Sequence, residues 1–168
     1  VERQITIMAR MALTYGRHLN NRDAASSTLD EAQSLVEELE DPSAQVRALS
    51  VVAYARHLGQ QEDQAQKLAD RATELARQIK DTRQRSDALS EVASTLGRIS
   101  RPQQADELFD QALGTARQIE DDVSQAHALA DLALRLAKSD KNRQAREILQ
   151  EAEDVGDRIK DRGLYREV

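Results

Sequence analysis

The chain has 168 residues, enough for one domain of ordinary size. Its 24 Lys and Arg stand against 30 Asp and Glu, a formal net charge of −6, with 2% aromatic residues and no cysteine. This composition excludes disulfides and thiolate metal sites. It also lacks the basic track and stacking aromatics that phosphate-dominated nucleic-acid binding requires. No run approaches the 18 or so apolar residues of a membrane-spanning helix. No charged-then-apolar leader marks secretion, so a cytoplasmic protein is expected.

The first predicted helix covers about residues 2–19, with Ile5, Met8, Ala12, Tyr15 and Leu19 on one stripe at helical spacing. Asn20-Asn21 suits a left-handed turn, after which Asp23 is expected to cap a second helix reaching about Glu40. Residues 21–41 contain one Arg and seven acids, so a charge equal to the whole formal net lies in this segment. It reads as a solvated outer face, the alternative being an acidic docking patch.

Asp41-Pro42 is the cleanest boundary. Asp accepts from the free amides of a helix start, Pro fits the first helical position, and Pro pushes the preceding residue out of the α region. The third helix then runs to Leu58, with Gly59 expected as its stop. The fourth covers about 63–80. Asp81 opens the fifth, with Gln84 three residues on in a capping-box arrangement, and it ends near Ile99. Pro102 opens the sixth, Asp121 or Asp122 the seventh, and the eighth runs to about Lys160. Eight helices of roughly 17 residues, each about 25 Å long, are expected to stack as antiparallel pairs.

These helices repeat. Ala25, Ala65, Ala105 and Ala145 align at steps of forty, as do Ala32, Ala72, Ala112 and Ala152. Leu29, Ala69, Phe109 and Leu149 lie between them. Asp41, Asp81, Asp121 and Asp161 form a further column. In the first helices Ala53, Ala93 and Ala133 align, and Met11-Ala12 matches them with one extra residue before Ala25. A fixed period in this range is the signature of a solenoid or array. The units are about 1–41, 42–81, 82–121 and 122–161, with a fifth starting over 162–168. The chain is therefore expected to be one repeat domain, 1–168, cut from a longer array. Ile5, Met8 and Met11 at one end, and Leu164, Tyr165 and Val168 at the other, predict uncovered apolar ends that contact other copies.

Val92-Ala93-x2-Leu96 followed by Ala105-x3-Phe109-x2-Ala112 resembles the tetratricopeptide (TPR) pattern, in a forty-residue variant without the first-helix tryptophan. The resemblance covers essentially the whole chain. It implies an all-α fold, an αα-solenoid of four helix-turn-helix repeats wound as a right-handed superhelix. It also implies that the first helices line a concave groove that binds a peptide or helix from a protein partner.

On that reading the groove positions are Thr6, Ala9, Leu13 and Arg17 in unit one and Arg47, Ser50, Tyr54 and His57 in unit two. Unit three supplies Asp87, Ser90, Ser94 and Arg98, and unit four His127, Ala130, Leu134 and Lys138. The small second member of each set is expected to leave room for a ligand backbone. Arg17, Arg98 and Lys138 form a basic ledge with Leu58 at its gap. Tight helix curvature and ordinary helix-end charges explain the same residues without a ligand. Carboxylate-clamp TPRs place asparagine on this face, and Leu13, Tyr54, Ser94 and Leu134 do not match that. No His-Glu-x-x-His pair, Gly-rich phosphate loop or nucleophile elbow is present, so no catalysis, metal or cofactor is expected. The expected function is a protein–protein interaction scaffold. The alternatives are a sensor or regulatory segment of a larger signalling protein and an RNA-binding helical repeat.

Overall fold

A computed structural model describes the backbone of residues 1–164 and the side chains of residues 1–159. Among the described residues there are eight α-helices and no strand. They are α1 (Glu2–Arg17), α2 (Arg22–Val36), α3 (Pro42–Leu58), α4 (Glu62–Gln78), α5 (Thr82–Arg98), α6 (Pro102–Ala116), α7 (Asp122–Lys138) and α8 (Asn142–Leu164).

The boundary between units is built alike each time. Asp41 accepts from the amides of Ser43 and Ala44 at 3.1 and 3.0 Å, Asp81 from Gln84 at 2.8 Å and Asp121 from Ser124 at 2.8 Å. Each satisfies amides that the first turn leaves free. From the same register position Gln45, Arg85 and Gln125 reach back to the carbonyls of Leu39, Ile79 and Ile119. These bonds hold the end of one unit onto the start of the next. They accompany an earlier end than expected for α2, at Val36, and for α4, at Gln78.

The turn inside each unit also repeats. Asn20, Gln60, Ser100 and Asp140 have φ of 48°, 61°, 64° and 61° and stand at steps of forty. In the last three, the amides of Gln61, Arg101 and Lys141 donate to Arg56, Leu96 and Leu136 at 2.8–2.9 Å, the six-to-one closure of a helix end. In unit one the closing bond runs one residue further, from Asn21 to Tyr15. That is where its extra residue is absorbed. α3 stops at Gly59 as expected, with φ −83° at the glycine and the left-handed position taken by Gln60. One local expectation changes. Asn21, not Asp23, caps α2, accepting from Ala24 at 3.0 Å. A non-glycine residue in this region carries roughly 1–2 kcal/mol of strain. Ser100→Gly is therefore expected to stabilise the chain by about 0.5–1 kcal/mol, read as a higher melting temperature. An unchanged or lower one would mean that Ser100 is not strained.

Each helix packs against its partner within the unit, and the odd-numbered helices pack side by side, α1 on α3, α3 on α5 and α5 on α7. Among the described residues, successive even-numbered helices do not touch along their backbones. Long side chains join them, so the odd helices lie on the tighter side of the stack. Those links recur at one register pair. Arg71 clasps Glu37 at 2.5 and 2.8 Å, Arg77 reaches Gln111 at 3.2 Å, and Arg117 clasps Glu151 at 2.8 Å twice. Each arginine holds its carboxylate, Glu37 or Glu151, below the usual range by hydrogen bonding.

The alanine columns form the seam where helices cross. Ala32, Ala72 and Ala112 are all 0% exposed. Small residues there let helix axes approach toward the short end of the roughly 8–10 Å range. The array is an α-solenoid of helical repeats. Its last helix departs from the expected boundary: α8 continues through Asp161 to Leu164, so no new helix starts at 162 within that span. The remaining fifth-unit residues, including Tyr165 and Val168, lie outside the described residues.

Candidate functional site

Burial along the odd helices defines their open face directly. On α3 the residues left partly exposed include Gln45, Arg47, Val51, Tyr54, His57 and Leu58, of which Arg47, Val51, Tyr54 and Leu58 form one stripe. The same register gives Thr6, Arg10, Leu13 and Arg17 on α1, Asp87, Glu91, Ser94 and Arg98 on α5, and His127, Asp131, Leu134 and Lys138 on α7. Three of the four expected rows are therefore on the open face, and one is not. Ala9, Ser50 and Ser90 are each only 2% exposed, and Ala130 is half-buried. Ala9, Ser50 and Ser90 face the neighbouring odd helix rather than a ligand, and Ala130 lines a groove at the end of unit four. Their size serves close helix contact, because a larger side chain would push the odd helices apart. Arg10, Val51, Glu91 and Asp131 take their place on the surface.

In the N-terminal half of the face Arg47 and Arg135 are held in internal ion pairs. Arg47 clasps Glu2 at 2.8 and 3.3 Å and lies 3.8 Å from Asp41. The hydrogen bonds to Glu2 raise its pKa above the usual arginine value. Asp87 and Glu91 both take Arg135, Asp87 at 2.8 Å. Burial works against the Arg135 charge, and the two carboxylates outweigh it. His57 is turned toward the start of α4, with Nδ1 2.8 Å from Glu62. Ser94 donates to the Ser90 carbonyl at 3.1 Å. Arg47, Asp87, His57 and Ser94 are thus engaged within the array, and Ser50 is buried in it.

The C-terminal half is different. Arg98 lies over the Tyr54 ring, 3.4 Å from its centroid, a cation–π contact joining α3 to α5. Arg17 and Lys138 are exposed, without an ion-pair partner among the described residues. A cleft of about 540 Å³ opens between the tips of units one and two, lined by Leu13, Arg17, Arg22, Ser26, Leu58 and Gln61 among others. Gly16, Ala25 and Ala55 leave that space open. At the register of Ala55, unit four carries Arg135. His127 is exposed at the other end of α7, away from this cluster. Leu134, 53% exposed, belongs to a separate apolar groove at the end of unit four.

Sequence reasoning missed Arg56. Its side chain is 1% exposed, yet it donates to Asp30 at 2.6 Å and Gln61 at 2.8 Å, with Ser26 at 3.5 Å. Its register partners are Leu96 and Leu136, both buried. A charge in a leucine column was the signal that could have found it. Asp30, Glu37 and Asp41 of the acidic segment are likewise spoken for, which leaves Asp23, Glu31, Glu38 and Glu40 as its acids outside any ion pair or cap among the described residues. No helix of the described residues is long and apolar enough to cross a membrane.

No protein-family model matches this chain, and no curated protein matches it. Among solved structures it is similar to Ton1535 from Thermococcus onnurineus NA1, at 21% identity and a TM-score of 0.78 over 94% of this chain. The match takes in 45% of that protein, so the chain spans under half its length. At this identity the likeness is one of fold: a stack of helical repeats.

Proposed function

We propose that this chain is a TPR-like, non-catalytic scaffold that holds an acidic peptide or helix from a protein partner. The ligand lies across the C-terminal ends of the odd helices. The carrying observation is the Arg98–Tyr54 stack beside Arg17 and Lys138. It is a cationic row next to an apolar one on a chain of net charge −6. In the other half of the face two arginines, Arg47 and Arg135, meet four carboxylates, Glu2, Asp41, Asp87 and Glu91, which turns an incoming carboxylate toward this one. Tyr54 and the Leu13–Leu58 cleft supply anchors, and buried aromatic and apolar anchors carry most binding energy. The cations act chiefly on encounter rate and selectivity.

The test is selection of binders from a random peptide library on the intact chain. Selected peptides are expected to be acidic with apolar anchors, to bind more slowly as salt is raised, and to lose more than about 1 kcal/mol with Tyr54→Ala. Arg98→Glu with Lys138→Glu is expected to abolish binding, and Glu31→Lys with Glu38→Lys on the outer helix to leave it intact. The reverse pattern would transfer the site to the acidic outer face.

A further inference from the structure

The first junction between units holds a cation that the next two junctions lack. Arg56 reaches from α3 to α2, where its Nη2 donates to Asp30 at 2.6 Å and its Nη1 lies 3.5 Å from the Ser26 hydroxyl. Forty residues on, the places of Arg56, Asp30 and Ser26 belong to Leu96, Asp70 and Gln66. Eighty residues on they belong to Leu136, Asp110 and Asp106. The acceptors stay, and leucine replaces the cation. At each of these two junctions a groove of about 310 Å³ opens beside that leucine, floored by Leu96 and Leu108 in one and by Leu136 and Ile148 in the other.

The groove between α4 and α6 is the more open to a cation. Asp70, Glu74 and Glu107 line it, and none of them has an ion-pair partner among the described residues. Its own arginine, Arg77, is turned to Gln111 at 3.2 Å. Gln66 holds Asp70 in place, its Nε2 donating at 2.7 Å, while its Oε1 is buried without a donor. The acceptor that meets Arg56 in the first junction thus has a counterpart in the second with nothing to accept. In the groove between α6 and α8, Glu151 already clasps Arg117, and Glu147 lies 3.9 Å from Arg143.

We propose that these two grooves each take an arginine side chain from another polypeptide, held as the chain holds its own Arg56. An arginine lays its apolar stem along a leucine floor and keeps its charged head at the carboxylates. Its planar fork of donors serves several acceptors at once. At about 310 Å³ each groove stands at the lower edge of ligand-pocket size, room for one side chain rather than a folded segment. The groove between α4 and α6 binds more tightly, because its carboxylates are free of ion pairs. Both grooves lie on the even-helix side, apart from the cationic row of the odd helices, and do not depend on what that row binds.

The experiment titrates N-acetyl-arginine amide into the full chain and follows the methyl NMR signals of Leu96, Leu108, Leu136 and Ile148. The Leu96 and Leu108 signals are expected to move first and the other two at higher concentration. Both responses should weaken as salt is raised. N-acetyl-citrulline amide, which has the same shape without the charge, is expected to leave all four in place. Asp70→Asn with Glu107→Gln, both at exposed positions, is expected to weaken the first site roughly tenfold or more and to spare the second. Arg56→Leu removes the resident cation and is expected to open a third response at Leu68, the register partner of Leu108 and Ile148. No response in the parent, equal binding of the citrulline compound, or unchanged affinity in the double variant would overturn the proposal. So would a helical Arg56→Leu chain without a third response. Spermidine binding more tightly than the arginine probe would overturn it too, by assigning the grooves to free polyamines. The exposed double variant keeps the test decisive should Arg56→Leu lose helix by circular dichroism.

Discussion

Arg56→Leu is expected to leave the array as stable as the parent or more so, while Asp30→Ala costs about 2–3 kcal/mol. The two substitutions break the same ion pair, and they differ in what they leave behind. Asp30→Ala strands a guanidinium that is 1% exposed and whose Nε already has no partner. Removing one member of a buried pair costs about 3–5 kcal/mol, whereas replacing a buried charge with a well-packed apolar residue is neutral or favourable. The lower figure applies because the Asp30 side chain is 66% exposed and Arg56 keeps its bond to Gln61. The leucine variant restores the column of Leu96 and Leu136, and Ser26 and Gln61, both half-buried, can turn to water. Thermal and denaturant melts of both variants decide it. Equal losses would mean that the polar bonds of Arg56, rather than its burial, govern this junction.

Ala112→Leu should cost about 1–3 kcal/mol through overpacking. Ala112 is 0% exposed, and its carbonyl accepts from the buried Ser86 hydroxyl of α5 at 2.9 Å. A leucine there has to part the two helices, and parting them breaks that bond as well. Ala152→Leu is the internal control. It occupies the same column on α8 at 7% exposure, a less enclosed place, and should cost less. A melting temperature unchanged by Ala112→Leu would show the seam to be loose.

The forty-residue period, the helix count and most boundaries were legible in the sequence because they rest on local rules. Capping aspartates, the prolines at helix starts and columns of alanine at helical spacing act within a turn or two of the chain. Even the extra residue of unit one could be counted before its turn was seen. Burial on the odd helices was not legible at the same resolution. Residue 50 and residue 51 differ by one helical step of about 100°. Which of them faces the next helix depends on how that helix lies, and so Ser50 was read as groove and Val51 was not. Charge pairing is harder still. Arg135 finds Asp87 and Glu91, and Arg47 finds Glu2, across more than forty residues of chain. No spacing rule within one helix reports such a meeting. Only the stacking of units decided that Arg47 and Asp87 are spent within the array while Arg17, Arg98 and Lys138 face outward. The sequence by itself determined the repeat, and the tertiary structure determined which of its charges remain free, because pairing is a matter of distance in space rather than along the chain.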